Sequence, residues 1–427
     1  MPRAVQEAAL PIFLLTYALI SLQRFRGFQL NRPVAALFGA ALMVLFGVIS
    51  WQGALQAVSG GLEILALLLG MLMMVATLEV AGFFEYLAER LEARATSPRA
   101  FFVQICIASA VLSALVLNDT VVLLLTPVVI KTCRRMGAHP VPYLMAETIC
   151  ANIGSTATLV GNPQNAYIGL SSNISFLFYA AVMTPITALC LVVAVAMMLR
   201  FFRKDLVAAH PEGAKPLAAD RAPVDRALLR IAGVVFGSVL VLFTLSSLLQ
   251  ISIAAIAVGG GIFMLFSTVS YRGFRVEKIL ARVDWTILLL FVGLFVVLRA
   301  VEDAGLVQGL IAPATSVGSG GGDPTTLGWL AGVTAILSNL ISNVPAVLLL
   351  APVVRSLNTN KAWMVLAASS TLSGNATLLG AAANLITAEV ARAHGYEFPW
   401  LRFTLIGLPV AAATLLISTA AIALLPV

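Results

Sequence analysis

One stretch of this chain occurs twice, and that repetition limits the available folds more than any other feature. Residues 118–129 read NDTVVLLLTPVV, and residues 343–354 read NVPAVLLLAPVV. The Asn, one Val, the Leu triplet, the Pro and the closing Val pair thus recur 225 positions later. A duplication is the simplest origin of such a match, so the chain is expected to fold as two related halves.

Two further echoes follow the same order along the chain. Residues 157–165 read ATLVGNPQN and residues 376–384 read ATLLGAAAN, at an offset of 219. Three upstream residues recur at an offset of 223: Gly70, Glu79 and Gly82 as Gly293, Glu302 and Gly305. The predicted organisation is therefore a first repeat at 1–203, a hydrophilic linker at 204–225 and a second repeat at 226–427.

The composition places both halves in a lipid bilayer. Apolar residues make up 60% of the chain and charged residues 11%, against about 45–50% and about 25% in soluble domains. The net charge of +7 comes from basic residues between apolar runs, which indicates membrane topology and no nucleic-acid partner. The four cysteines lack metal-ligand spacing and are interpreted as reduced apolar fillers: Cys106, Cys133, Cys150 and Cys190.

Apolar runs predict about ten membrane-spanning helices, five in each half. Each run is long enough, or nearly so, to cross about 30 Å of hydrocarbon. The predicted spans lie near residues 8–22, 33–50, 62–82, 175–198, 231–249, 252–270, 285–300, 362–390 and 403–424, with span four starting at about residue 142. Residues 83–95 alternate apolar and charged positions and are expected to lie at the membrane surface.

Four polar breaks interrupt this pattern. Apolar residues 101–130 are broken after Leu117, and residues 327–355 are broken at Ser342, which predicts two re-entrant hairpins. Span four is broken as well, since residues 152–163 hold Gly, Pro and polar residues that end a helix. Span nine is predicted to break at the echo, residues 376–384. Non-helical backbone at membrane depth is tolerated only inside protein or beside a polar cavity, so the four breaks are expected to meet near the midplane.

The Lys and Arg residues support one orientation. If both termini face outward, 22 of the 26 basic residues lie in inner connections, and four lie outside: Arg3, Arg299, Arg355 and Lys361. This distribution obeys the positive-inside rule. Five spans per half then place the halves in opposite orientations, and inverted repeats with broken helices are typical of secondary transporters.

The side chains at the breaks are the candidate substrate ligands. They are neutral hydrogen-bonding groups without Arg, Lys or His, which favours a neutral, hydroxyl-bearing solute, although helix N-termini alone can bind an anion. The alternative is that they only cap half-helices. The candidates are Asn118, Thr120, Ser155, Thr156, Thr158, Asn162, Gln164, Asn165, Ser342, Asn343, Asn375, Thr377 and Asn384.

Asp119 is the acid at the breaks. Its counterpart in the second half is Val344, so the fold itself does not require a carboxylate there. Because intramembrane acids are functional candidates and exclusion of water disfavours their charged form, Asp119 is predicted to carry the coupled proton; the alternative is an ionised helix cap. Glu147, inside span four, is a second candidate for proton transfer, with a surface position as its alternative.

The residues at these breaks resemble a known family. Residues 118–127 resemble arsenite efflux permeases of the ArsB type, in the ArsB/NhaD branch of the ion transporter superfamily. Residues 161–165 (GNPQN) are similar to relatives of that group, including plant silicic acid exporters, and residues 283–285 (VDW) extend the resemblance to span eight. The fold implied is an all-α polytopic membrane protein with two inverted repeats.

This resemblance implies a bacterial inner-membrane exporter of neutral trivalent metalloid hydroxides, chiefly arsenite and antimonite, in exchange for protons. Such an arsenic-resistance protein works alone on the proton gradient or docks a cytosolic arsenite-stimulated ATPase. It is not an enzyme and uses no metal or cofactor.

Other transport functions stay open. The same fold serves sodium-coupled or proton-coupled carriers of anions and dicarboxylates, sodium–proton antiporters and silicic acid exporters. Dicarboxylate carriers usually show Ser-Asn-Thr at both hairpin tips, whereas residues 117–120 read LNDT and residues 342–345 read SNVP. This departure argues against sodium coupling.

Overall fold

A computed structural model describes residues 3–22, 24–25, 28–29, 31–94, 97–206, 224–306 and 320–426. Apart from one short strand pair, the regular structure in these residues is helical, as required of a chain whose backbone polar groups must bond internally in lipid. Most of the predicted linker, residues 207–223, lies outside the described part.

The described part of the first repeat contains ten helices and one short β-hairpin. Strands β1 (Arg24–Phe25) and β2 (Phe28–Gln29) pair antiparallel between the first two helices. The helices are α1 (Arg3–Leu22), α2 (Arg32–Leu45), α3 (Trp51–Gly60), α4 (Leu62–Val80), α5 (Phe83–Arg94), α6 (Pro98–Leu115), α7 (Asn118–Arg135), α8 (Val141–Ser155), α9 (Pro163–Ser172) and α10 (Phe176–Phe201).

The second repeat follows the same order. Its described helices are α11 (Arg226–Leu249), α12 (Ile253–Arg272), α13 (Val276–Leu280), α14 (Trp285–Asp303), α15 (Pro324–Ile341), α16 (Asn343–Leu357), α17 (Asn360–Ser373), α18 (Ala382–Ala393) and α19 (Trp400–Leu424). These correspond in sequence to α1–α4 and α6–α10. At the offset of 223, the residues equivalent in sequence to α5 are 306–317, and residues 307–317 lie outside the described part.

The predicted polytopic all-α fold is confirmed. Eight described helices have the length and hydropathy to cross a membrane, namely α4, α6, α10, α11, α12, α14, α15 and α19. Six of them coincide with predicted spans, and the other two, α6 and α15, are the first arms of the predicted hairpins. Span two is shorter than predicted: α2 ends at Leu45, where Gly47 takes a φ of 70°, and α3 is a separate helix.

The four predicted breaks are present at the expected residues. Between α6 and α7, and between α8 and α9, the helix stops and a new helix starts. The same happens between α15 and α16, where Ser342 takes a φ of 72°, and between α17 and α18. A positive φ at a non-glycine residue is uncommon, so the tip of the second hairpin is a constrained turn.

The helices form two groups, each drawn from both halves. In the frame, α1–α4 and α11–α14, α4 packs against α12 and α2 against α14. In the broken-helix unit, α6–α9 and α15–α18, α7 packs against α18 and α9 against α16. Helices α10 and α19 pack against each other beside the broken-helix unit. Because every one of these five pairings crosses between the halves, the two halves share one apolar core.

The glycine echo noted in the sequence has a packing reason. A side chain at Gly70 of α4 would collide with the backbone of Ala257 in α12, and one at Gly293 of α14 would collide with the backbone of Ala36 in α2. Each glycine therefore lies where its helix crosses a helix of the other half. Gly82 and Gly305 take φ values of 81° and 78° directly after α4 and α14, as glycines that end helices commonly do.

Charged contacts join residues that the sequence analysis placed on the same membrane face. Arg402 donates to Asp205 at 2.6 Å, and both were assigned to the inner connections. Lys361, assigned to the outer face, donates to the backbone carbonyl of Ala423 at 3.0 Å, next to the C-terminus. The helix packing is thus compatible with the predicted topology.

Candidate functional site

Four helix N-termini meet at one small cavity. This tip cavity, of about 40 Å³, is lined by the first residues of α7, α9, α16 and α18, that is, by Asn118, Asp119, Pro163, Gln164, Asn343, Val344, Pro345 and Ala382. A helix N-terminus carries roughly half a positive charge and unpaired N–H groups. Convergence of four such ends creates a positive potential at the cavity.

A wider vestibule continues from the tip cavity towards one surface. It measures about 470 Å³ and lies between the frame and the broken-helix unit. Charged side chains of both groups line it: Arg32, Asp119, Asp284, Glu389 and Arg392. Asp284 and Arg392 belong to the predicted inner face, so the vestibule extends towards the side assigned to the cytoplasm.

Arg32 contributes a cation to the site. This residue starts α2 of the frame, lines both the tip cavity and the vestibule, and donates from Nη1 to the hydroxyl of Ser342 at 3.4 Å. Its guanidinium also interacts electrostatically with the carboxylates of Asp119 and Glu389. The sequence pattern predicts Arg32 in a connecting segment, where its charge would serve membrane topology alone. Since Arg32 lines both cavities, the expectation of a site without a cation is wrong.

Asp119 caps a helix of the other half. The backbone N–H of Ala383, in the first turn of α18, donates to its carboxylate. Helix α9 has its own cap, because Asn162 accepts from the backbone N–H of Asn165 at 2.8 Å. The equivalent residue before α18 is Ala381, which cannot accept a hydrogen bond through its side chain. Asp119 of α7 therefore supplies the acceptor that α18 lacks. In the other half α9 is capped by its own Asn162, so the residue equivalent to Asp119 can be the apolar Val344.

A chain of amides connects the two broken helices. Asn118 donates from Nδ2 to Oδ1 of Asn152 at 3.0 Å. Asn152 in turn donates to Oδ1 of both Asn375 and Asn384, each at 2.9 Å. On the symmetric side, Asn162 and Gln164 both donate to the hydroxyl of Thr371, at 3.2 and 3.1 Å. The broken-helix unit is thus joined across the halves by side-chain hydrogen bonds.

The echoed asparagines Asn165 and Asn384 perform the same structural task. Asn165 donates from Nδ2 to the backbone carbonyls of Ser155 and Thr158, at 3.1 and 3.0 Å. Asn384 donates to the carbonyls of Gly374 and Thr377, at 2.8 and 2.9 Å. Each amide satisfies carbonyls that the break leaves without helical partners. Their recurrence in the sequence therefore reflects the geometry of the break.

Glu147 is buried in α8 and lines neither cavity. Its Oε1 accepts from the hydroxyl of Thr126 at 3.1 Å, and its Oε2 has no hydrogen-bond partner within the described structure. Thr126 follows Asp119 by seven residues on α7, a distance of about 10 Å along the helix axis. Burial excludes the surface position considered for Glu147, and its part in proton transfer stays a prediction.

The side opposite the vestibule is held by a different contact. Arg355 of α16 donates from Nη2 to the hydroxyl of Tyr167 in α9 at 3.1 Å, and Glu302 interacts electrostatically with both groups. The equivalent positions are Ile130 and Ile386, which cannot form such a bond, and Ile386 lines the vestibule. The unequal halves thus close one side of the site and leave the other open.

The predicted substrate residues separate into two sets. Four line the tip cavity: Asn118, Gln164, Ser342 and Asn343. Nine lie outside both cavities: Thr120, Ser155, Thr156, Thr158, Asn162, Asn165, Asn375, Thr377 and Asn384. Most of the second set bond to backbone or amide groups of the breaks, which is the capping role weighed as the alternative.

Several polar residues of the vestibule were missed by the sequence analysis. They are Ser21, Asn31, Arg32, Asp284, Thr286, Glu389 and Arg392. One sequence signal could have identified Arg32, namely a charged residue in one half where the other half has an apolar residue, as at Asp119. Helix α2 begins with Arg32, whereas α12 begins with the apolar Ile253.

Inverted repeats, broken helices and a polar cavity between two helix groups define a secondary transporter. The chain belongs to the citrate transporter family, CitMHS, whose model matches residues 17–372. It is a membrane-spanning, multi-pass member of that family.

Comparisons with individual proteins agree with this assignment. The chain is 33% identical over 417 residues to the 46 kDa membrane protein of Mycobacterium leprae, covering 94% of each chain. It is 28% identical to the silicon efflux transporter LSI3 of Oryza sativa subsp. japonica, covering 89% of this chain and 90% of the rice protein. Its fold is similar to the YdaH transporter of Alcanivorax borkumensis, with a TM-score of 0.59, 14% identity and 98% of each chain covered.

Proposed function

We propose that this chain is a proton-coupled carrier of a small carboxylate-type anion, bound in the tip cavity. The observation that carries the proposal is the convergence of four helix N-termini and the guanidinium of Arg32 on one cavity. Helix N-termini favour negative charge, and an arginine fork matches a carboxylate. The family description as citrate transporters supports an anion of this class.

The size of the tip cavity sets which part of the solute it holds. Its volume of about 40 Å³ accommodates about three waters at about 10–15 Å³ each, which is the room that one carboxylate group needs. The rest of a larger anion would extend into the vestibule, where Arg392 offers a second cation.

Asp119 links proton binding to anion binding. When ionised, its carboxylate occupies Arg32 and the N-terminus of α18, which are the same positive groups that an incoming anion needs. When protonated, it releases them. Anion and proton are therefore expected to bind together, so affinity for the anion increases as the pH falls. This coupling moves both species in the same direction.

The two helix groups provide the conformational change. Arg32 belongs to the frame and Asp119 to the broken-helix unit. The attraction between Arg32 and an ionised Asp119 therefore holds the two helix groups together. Neutralisation of Asp119, together with anion binding at Arg32, removes this attraction. The cavity between the groups then opens alternately to each side, as in other inverted-repeat transporters.

A second candidate is the exchange of neutral metalloid hydroxides, such as arsenite, antimonite or silicic acid, for protons. The observation that favours it is a pair of acceptors at the tip, the Asp119 carboxylate and Oδ1 of Asn118. Of these, Oδ1 of Asn118 has no hydrogen-bond partner within the described structure. The hydroxyls of such a solute would donate to both atoms, and the rice relative is a silicon exporter. Protonation of Asp119 would remove an acceptor, so affinity here increases as the pH rises.

The opposite signs of these pH dependences give the test. Purified protein in sodium-free proteoliposomes is assayed for binding and uptake of citrate, smaller carboxylates, arsenite and silicic acid at mildly acidic and mildly alkaline pH. We expect carboxylate binding that is stronger at acidic pH, lost in Arg32→Gln and independent of pH in Asp119→Asn.

Two results would reject the proposal of a proton-coupled anion carrier. Binding of a neutral hydroxide that strengthens at alkaline pH and survives Arg32→Gln would establish the second candidate. Uptake only after addition of sodium would instead indicate a sodium-coupled carrier. Arg282→Gln serves as the control, because Arg282 pairs with Glu79 outside both cavities.

A further inference from the structure

A basic groove lies on the outside of the helix pair α10 and α19, away from the transport site. It has a volume of about 540 Å³, with apolar walls that include Phe201, Leu405 and Pro409 and a rim formed by Arg200, Arg203 and Lys204. The rim lies at the C-terminal end of α10, where the predicted topology places the inner membrane surface.

The three cations on the rim have no acidic partner within the described structure. Arg200, Arg203 and Lys204 are exposed, and the one neighbouring carboxylate is already paired, because Asp205 accepts from Arg402 at 2.6 Å. The guanidinium of Arg402 also lies over the ring of Phe202, 5.3 Å from its centroid. These contacts fix the end of α10 against the start of α19 and leave three positive charges for a ligand.

The walls of the groove suit a hydrocarbon chain. Leu405 is 59% exposed and Phe201 38% exposed, both on helices that span the membrane. Pro409 within α19 has no N–H, so the carbonyl of Leu405 lacks its usual helical partner. A ligand that fills this groove must therefore combine an anionic head at the membrane surface with an apolar tail beside the helices.

We propose that this groove binds an anionic phospholipid. Its phosphate would lie among Arg200, Arg203 and Lys204, and one acyl chain would lie along Leu405 and Pro409. Basic pockets between membrane helices on the inner face are suited to such headgroups. A free phosphate ion would use the cations but leave the apolar walls empty, which is why a lipid fits better.

The experiment is native mass spectrometry of the full chain, purified in detergent and mixed with phosphatidylglycerol or phosphatidylcholine of equal chain length. We expect one phosphatidylglycerol retained with at least about tenfold preference over phosphatidylcholine. The triple variant R200Q/R203Q/K204Q should lose this preference. Leu405→Trp, which obstructs the groove without changing charge, should also release the lipid.

The control is the triple variant R226Q/R230Q/K278Q, which removes three exposed basic residues of the same predicted face outside the groove. It should retain the lipid. An equal loss in this control would mean that the lipid responds to overall charge, and displacement by inorganic phosphate alone would mean that the groove binds phosphate; either result overturns the proposal. Thermal unfolding of each variant in detergent shows that a lost lipid does not reflect a lost fold.

Discussion

Asn152 and Asn384, one from each half of the chain, share a buried hydrogen bond of 2.9 Å in which the amide of Asn152 donates. Asn384 accepts a second bond from the hydroxyl of Thr148 at 3.2 Å. Because buried amides are costly to leave unpaired, these bonds hold the two broken helices as one body. The frame, not the partner broken helix, is therefore the surface against which this body is expected to move.

Substitutions can separate two roles of Asp119, the cap that it provides to α18 and the proton coupling proposed for its carboxylate. Asp119→Val, which copies the second half, should destabilise the protein by about 1 kcal/mol through loss of the cap. Ala381→Asn, which copies the self-capped α9, should restore that stability in the double variant without restoring proton coupling. Thermal unfolding and pH-dependent uptake measure the two effects. Full recovery of coupling in the double variant would reduce Asp119 to a structural residue.

Gly70 is expected to tolerate no side chain. Gly70→Ala forces α4 away from the backbone of Ala257, and overpacking of this kind costs about 1–3 kcal/mol. Gly259→Ala is the matched control, since Gly259 lies on α12 with open space around it and an alanine should favour the helix. Denaturant titration in detergent should show the first variant less stable and the second at least as stable as the parent. Equal stabilities would contradict the crossing geometry.

The bond between Arg355 and Tyr167 should control access from the side opposite the vestibule. In a background with the four buried cysteines replaced, Ser342→Cys at the tip is expected to react slowly with an impermeant maleimide added from that side. Tyr167→Phe or Arg355→Gln should increase the rate several-fold, because the closed state loses a hydrogen bond worth about 1 kcal/mol. Arg299→Gln is the control, as Arg299 pairs with Asp303 on the same helix. An unchanged rate in both Tyr167→Phe and Arg355→Gln would assign the closure elsewhere.

Glu147→Gln distinguishes a neutral structural carboxyl from a proton carrier. Gln keeps an acceptor for the hydroxyl of Thr126 and has nearly the same volume as Glu. The free energy of unfolding should therefore change by less than about 1 kcal/mol. If Glu147 transfers protons, uptake driven by a proton gradient should fall at least about tenfold while binding at fixed pH is kept. Unchanged gradient-driven uptake would leave Asp119 as the remaining one of the two acids predicted to couple transport to protons.

Local signals made the breaks predictable. Residues 161–163 (GNP) and the polar tip after Leu117 disfavour a continuous helix, and apolar length determines which segments can span a bilayer. The repetition at an offset of 225 then extended each assignment to the other half. The early end of α2 and the separate helix α3 were not predicted. A run of apolar residues does not show where a turn, such as the one at Gly47, divides it.

The candidate site was predictable only in part. Asn118, Gln164, Ser342 and Asn343 line the tip cavity as grouped from the sequence, since breaks at membrane depth must meet in a polar environment. Arg32 could not be placed there, because a basic residue beside an apolar run obeys the positive-inside rule equally well in a loop or in a cavity.

Two related membrane-embedded halves with four breaks follow from the amino-acid order alone, because helix length and helix-breaking residues are local properties and the repetition is visible in the order itself. The electrostatics of the site depend on the packing of distant segments. Arg32 and Asp119 lie 87 positions apart, and Ala383 is farther still. Their meeting depends on how the frame packs against the broken-helix unit. That packing, and not the list of polar residues, changes the expected solute from a neutral hydroxide to an anion.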